Sequence, residues 1–225
     1  MTRAQKVVIP ADQLSPFSVQ YQSNDMNNPK IDFLFARRSI RRFKPDPVPE
    51  PVLRRILEAA HAAPSAHNTR PWRFVVLRDA ALRRMLAERM AEAYARDAEA
   101  DGQPADAVRA RNERSIGRIG GAPSAVLVLL DEGDLPARAG RGLEGERKMF
   151  IQSAAAAVQN LLLAAHAEGL GACWVCAPLF CPQAVNTALG LPDSWVAQAL
   201  ILIGYPAEAP AKPDGRALDE VVRWL

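Results

Sequence analysis

The sequence predicts one domain of α+β class. Three apolar runs, within "RPWRFVVLRD", "SAVLVLLDE" and "VAQALILIGYP", read as buried strands. Stretches of helical periodicity separate them, and the 225 residues contain no internal repeat and no low-complexity linker. The expected organisation is an N-terminal arm over residues 1–30 and a single domain over 31–225.

In chain order, residues 1–30 are polar and patternless, which suits an extended arm. "IDFLFARR" reads as a first helical segment. "KPDPVPE" alternates three prolines and forbids helix or central strand, so it is an extended connector. "PVLRRILEAAHAAP" spaces Leu53, Ile56, Leu57 and Ala60 on one helical face, with Pro51 in the first turn and Pro64 at the end. The run Phe74–Leu77 lacks alternation and predicts a strand buried on both faces.

"AALRRMLAERMAEAYARDAEA" and "PADAVRARNERSIGRIG" predict two helices broken at Gly102 and Pro104. "SAVLVLLDE" is the second strand. "ERKMFIQSAAAAVQNLLLAAHAEGLG" is the longest helical pattern; being apolar on most sides, it belongs in a core or a subunit interface, and Gly169 and Gly171 stop it. "ACWVC" reads as a short strand, "CPQAVNTALG" as a short helix and "GRALDEVVRWL" as a closing helix.

Composition narrows the function. With 28 basic and 25 acidic residues the net charge is +3, too balanced for a nucleic-acid protein by bulk charge. The N-terminus lacks the apolar region of a signal peptide, and the apolar Ala-rich helix is too interrupted by polar residues to span a membrane. The three cysteines are a poor disulfide framework, and a cytoplasmic location is expected.

Three constellations could carry chemistry. In "ARRSIRRFKPDPVPE" four arginines surround Ser39. If this stretch is helical, Arg37/Arg41 and Arg38/Arg42 are like-charged i,i+4 pairs, costly unless an anion is present. Guanidinium forks suit phosphate, although a solvated basic face is equally open. In "PSAHNTRPWRF" a helix-to-strand loop gathers Ser65, His67, Asn68 and Arg70; Asn68 can offer a donor and an acceptor to a heterocycle edge, or simply close an Asx turn. "CWVC" with Cys181 could be redox-active or half a metal site, but the second ligand pair is missing and no metal is expected; buried small hydrophobes are the plainer reading. There is no G-x-G-x-x-G, P-loop or G-x-S-x-G motif.

From about Asp32 to the end, these motifs together resemble the FMN-dependent nitroreductase family: "RRSIRRF", "PSAHNTRPWRFVV" and "EGLGACW…GLP…LILIGYP" in that order. Within it, the chain looks most like the C-terminal domain of the γ-glutamyl ligase that builds the deazaflavin coenzyme, without the ligase domain. The resemblance implies a central mixed sheet wrapped by helices, in an intertwined homodimer with FMN at the interface. It implies that Arg37, Arg38, Ser39 and Arg41 hold the flavin phosphate, ribityl chain and ring edge, with Arg42 a bystander or salt-bridge partner. Ser65 and Asn68 would reach the flavin held mainly by the other subunit. The backbone at Cys176 and Ala177 would approach the ring, and Arg216 would close the phosphate site. Pro178 departs from the family pattern, because it has no N–H to donate.

The implied activity is hydride transfer from NAD(P)H or another reduced donor, through FMN, to an electron-poor acceptor such as a nitroaromatic, a quinone or a deazaflavin precursor. The cofactor carries the chemistry, so no catalytic side chain is named. The alternatives are a non-catalytic flavin- or deazaflavin-binding module and a thiol or zinc protein.

Overall fold

The structure, a computed structural model, describes residues 28–137, 139–211 and 215–225. The expected arm therefore lies outside the described residues up to residue 27. Helix α1 (Pro29–Ala36) follows; Asn28 Oδ1 accepts a hydrogen bond from Lys30 N at 3.0 Å, and Pro29 sets the first turn. It is a unit apart from the body, Arg37–Leu225.

The body is built on four strands: β1 (Trp72–Leu77), β2 (Ser124–Asp131), β3 (Gly171–Val175) and β4 (Trp195–Gly204). Among the described residues they lie in the order β1-β2-β4-β3 with every pair antiparallel, which corrects the expected mixed sheet. An isolated bridge between Ser39 and Ala172 adds a parallel contact outside β3. The two central strands are the most continuously apolar, as strands covered on both faces should be.

Alternation along the strands sorts the core into two layers. Val126, Val128, Ala199, Ile201 and Ile203 face α2 (Glu50–His61) and α5 (Gly140–Ala167), where they meet Leu53, Ile56, Phe150, Val158 and Leu161. Leu127, Leu129, Leu200, Leu202 and Cys173 face α3 (Ala80–Ala100), α4 (Ala105–Gly120) and α6 (Pro182–Leu189) through Leu86, Met90, Ile119 and Val185. Arg55 and Glu168 form a two-pronged ion pair, 2.7 and 2.8 Å, that ties α2 to the end of α5.

Three other expectations are corrected. The segment Arg37–Arg42 is not helical: α1 stops at Ala36, and Ile40 N then donates to Ala172 O at 3.0 Å, so the chain runs along the sheet edge. β1 is not buried on both faces: it is an edge strand, and Arg73, Phe74, Val75 and Val76 are half-buried. The closing segment is one 3-10 turn, Leu218–Glu220, with Leu218, Val221, Trp224 and Leu225 exposed. A short helix with no packed face lacks most of what stabilises one in water.

Candidate functional site

The site is assembled around the edge of β3. Ile40 is 7% exposed and packs on Gly171, where an added Cβ would come within 2.6 Å of its side chain. That close approach draws the arginine segment against the strand. Beyond it the chain pairs with the exit of β4: Lys44 N donates to Tyr205 O, Ala207 N donates to Arg42 O, and Phe43 bridges Pro206.

The extended backbone sorts the arginines differently from helical spacing. Arg42 is neutralised: its Nε donates to Glu208 Oε2 at 2.8 Å. Arg38 Nη1 donates to the Arg37 carbonyl at 2.9 Å. Among the described residues, no carboxylate pairs with the guanidinium of Arg37 or Arg41. Arg37 and Arg38 do act on His166 at the end of α5. Burial and these two guanidiniums push its imidazole below the ordinary value. A guanidinium that no carboxylate neutralises suits a compact anion such as a phosphate, and Arg37 and Arg41 are of this kind.

Downstream of β3, Cys176–Ala177 turns into a 3-10 turn, Ala177–Phe180. The turn's own bonds use Leu179 N and Cys181 N, and take nothing from the N–H groups of Cys176 and Ala177. Those two amides fit the backbone approach expected here, and Pro178 is buried behind them. The three thiols are free and unlike one another. Burial raises Cys173, and burial pushes Cys181 up to about 11, with Asp97 adding to it. Cys176 alone is exposed, so the small-hydrophobe reading suits Cys173 but not Cys176. Past Ala177, a cleft of 420 Å³ runs between α3 and α4, walled by Met90, Tyr94, Gln103, Arg111 and Phe180.

Ser65 and Asn68 sit elsewhere. Their loop carries three left-handed residues without glycine: His67 (φ 51°), Asn68 (φ 55°) and Arg70 (φ 50°). It is over-determined, as stored strain requires. Ser65 Oγ accepts from Arg70 N at 2.9 Å, Thr69 Oγ1 donates to Ala66 O at 2.9 Å, and the buried Ser153 Oγ of α5 accepts from Ala66 N at 3.1 Å. The Ser65 hydroxyl thus accepts one bond within the loop, while Asn68 is exposed. Ser153 and His166 lie about 20 Å apart along α5 at 1.5 Å per residue, so one chain gathers the loop and the arginines at different levels of the helix. Arg216 is exposed in the closing segment and makes no hydrogen bond or ion pair among the described residues.

Sequence reasoning missed Glu208, Gly171, Ile40 and Ser153, because each acts through contacts that no local motif displays. Among the described residues, no helix is long and apolar enough to cross a membrane.

The Nitroreductase family profile matches residues 34–205. The chain is 36% identical to an NADH dehydrogenase from Thermus thermophilus, over 84% of this chain and 92% of that protein. It is 34% identical to the 5,6-dimethylbenzimidazole synthase of Rhodospirillum rubrum, over 82% of this chain and 85% of that one. Among solved structures, a nitroreductase-type protein from Desulfovibrio desulfuricans in complex with FMN superposes with a TM-score of 0.65 at 31% identity, covering 87% of this chain and 96% of that chain. With three quarters of its length inside the family profile and its sheet, edge segment and turn arranged as described, this chain belongs to the nitroreductase family.

Proposed function

We propose that the chain is an FMN-dependent oxidoreductase that moves hydride from NAD(P)H, or another reduced donor, to an electron-poor small acceptor. The observation that carries this reading is that the segment holding Arg37 and Arg41, whose guanidiniums have no carboxylate partner among the described residues, docks through Ile40 on β3, the strand that runs on into the two unspent amides of Cys176 and Ala177. When bound, FMN supplies the two-electron chemistry. Arg37 and Arg38 seat the phosphate, and Ser39 and Arg41 hold the ribityl chain and ring edge. The Cys176 and Ala177 amides face the ring, and Arg216 closes over the phosphate. The cleft beside Ala177 admits a flat acceptor such as a nitroaromatic, a quinone or a deazaflavin precursor, the last favoured by the likeness to the deazaflavin-linked ligase domain.

A homodimer completes the site. Asn68 lies at a level of α5 that its own arginines do not share, and a second copy brings it to the flavin. Exposed Ile151, Trp174, Leu179 and Phe180, together with the apolar closing segment, supply surface for such an interface. The free thiols accord with a cytoplasmic location. Light scattering on the purified chain should give a dimer-sized species. Steady-state NAD(P)H oxidation should accelerate on adding a quinone or a nitroaromatic. Bound flavin without turnover on either acceptor would replace this reading with a non-catalytic binding module.

The His166 titration offers an independent check. A folded imidazole held below its ordinary value binds fewer protons than the unfolded one, so stability falls as pH drops below that ordinary value. A phosphate dianion on Arg37 and Arg38 offsets their repulsion. The His166 ring resonance, followed by NMR, should therefore titrate at higher pH with FMN bound than without it.

A further inference from the structure

We infer that Glu208 is the positioning residue of the arginine seat: its carboxylate fixes the backbone of Arg41 and Arg42 and so aims Arg41 at the flavin. The inference rests on the proposed flavin site. One carboxylate makes three bonds to this short segment. Its Oε1 accepts from Arg41 N at 2.7 Å and from Arg42 N at 3.1 Å, and its Oε2 accepts from Arg42 Nε at 2.8 Å. Its side chain is 17% exposed, whereas that of Arg42 is 79% exposed.

The division of labour follows from these partners. The exposed ion pair to Arg42 contributes little, as such pairs do. The two bonds from consecutive amides are charge-assisted, and they fix the peptide planes on either side of Arg41. The Arg41 N–H, opposed by burial and helped by Arg42, holds the Glu208 carboxyl below the usual carboxylate range. Arg42 is then explained as part of the clamp, bonded to Glu208 through its backbone N–H and its Nε.

The test uses the full chain stripped of FMN, with three variants: Glu208→Ala, Glu208→Gln and Arg42→Ala. Two readouts separate positioning from general damage: hydrogen exchange at the Arg41 and Arg42 amides in the flavin-free protein, and FMN affinity by flavin fluorescence. Glu208→Ala should speed exchange at both amides and weaken FMN about tenfold, the scale of one lost charge-assisted bond. Glu208→Gln retains the Oε1 acceptor and should restore most of the affinity; Arg42→Ala should stay within about threefold of the parent, as loss of an exposed ion pair implies.

Unchanged exchange in Glu208→Ala would overturn the inference. So would faster exchange with unchanged FMN affinity while Arg37→Ala still loses FMN. Tighter FMN binding by Glu208→Ala would also overturn it, since the carboxylate would then be competing for the phosphate seat. If Arg37→Ala and Arg41→Ala also leave FMN affinity unchanged, the flavin site itself is wrong, and that failure is distinct from the others.

Discussion

Arg37→Ala should weaken FMN binding about 100-fold, and Arg42→Ala should leave it within about threefold. The two residues look alike in sequence and differ in their partners. Arg42 spends its Nε on Glu208, and its side chain is 79% exposed. Arg37 has no carboxylate partner among the described residues, and its backbone is set by the Ile40–Ala172 bond three residues on. A guanidinium that meets a phosphate with two parallel bonds loses about 3 kcal/mol when truncated, since each charge-assisted bond contributes about 1.5–3 kcal/mol. Fluorescence titration of the flavin-free variants measures both values. Equal losses in the two would return the stretch to a charged surface with no seat in it.

Gly171→Ala should cost both stability and FMN, for one geometric reason. The new Cβ would stand 2.6 Å from Ile40 Cβ and 2.7 and 2.8 Å from its branches. Ile40 is β-branched and held by its own backbone bond, so it cannot rotate away cheaply. The arginine segment must lift from β3, and overpacking of this kind costs about 1–3 kcal/mol. Gly190→Ala is the control. Gly190 ends α6 at φ 63° with open space around it, so alanine there meets only left-handed strain of about 1–2 kcal/mol. The two variants should lose comparable stability in urea, but only Gly171→Ala should also lose FMN affinity. Parallel loss of FMN in both would mean that affinity simply follows stability.

How far the sequence could be read depended on where the decisive contacts lie. The helices and strands of the body are local: Leu53, Ile56 and Ala60 mark a helical face, and the runs at Ser124 and Trp195 mark strands covered on both sides. The arginine stretch misled because its spacing fits a helix equally well. What decides it is Gly171, more than a hundred residues away, whose missing side chain lets Ile40 dock as an edge segment. The closing segment misled for the opposite reason: "LDEVVRWL" has helical periodicity, but in this chain no packed face holds it beyond one turn. The β1 run is apolar enough for a central strand and lies at an edge, where it is only half-covered.

The site was legible as residue types and not as geometry. Asn68 stood out as an amide in a loop beside the sheet, and the structure adds that its loop is held in a left-handed path by Ser65 and Ser153. Ser65 is expected at the ligand, and the structure adds that its hydroxyl oxygen accepts from Arg70 N. Glu208 had no signal at all, because it lies 167 residues from the amide it grips.

The most direct test of the central claim is the absorbance spectrum of the purified full chain, before and after adding NADH or NADPH without air. The account predicts a yellow protein that releases stoichiometric FMN on denaturation and whose flavin band bleaches on reduction. A colourless protein that takes up no added FMN would contradict it.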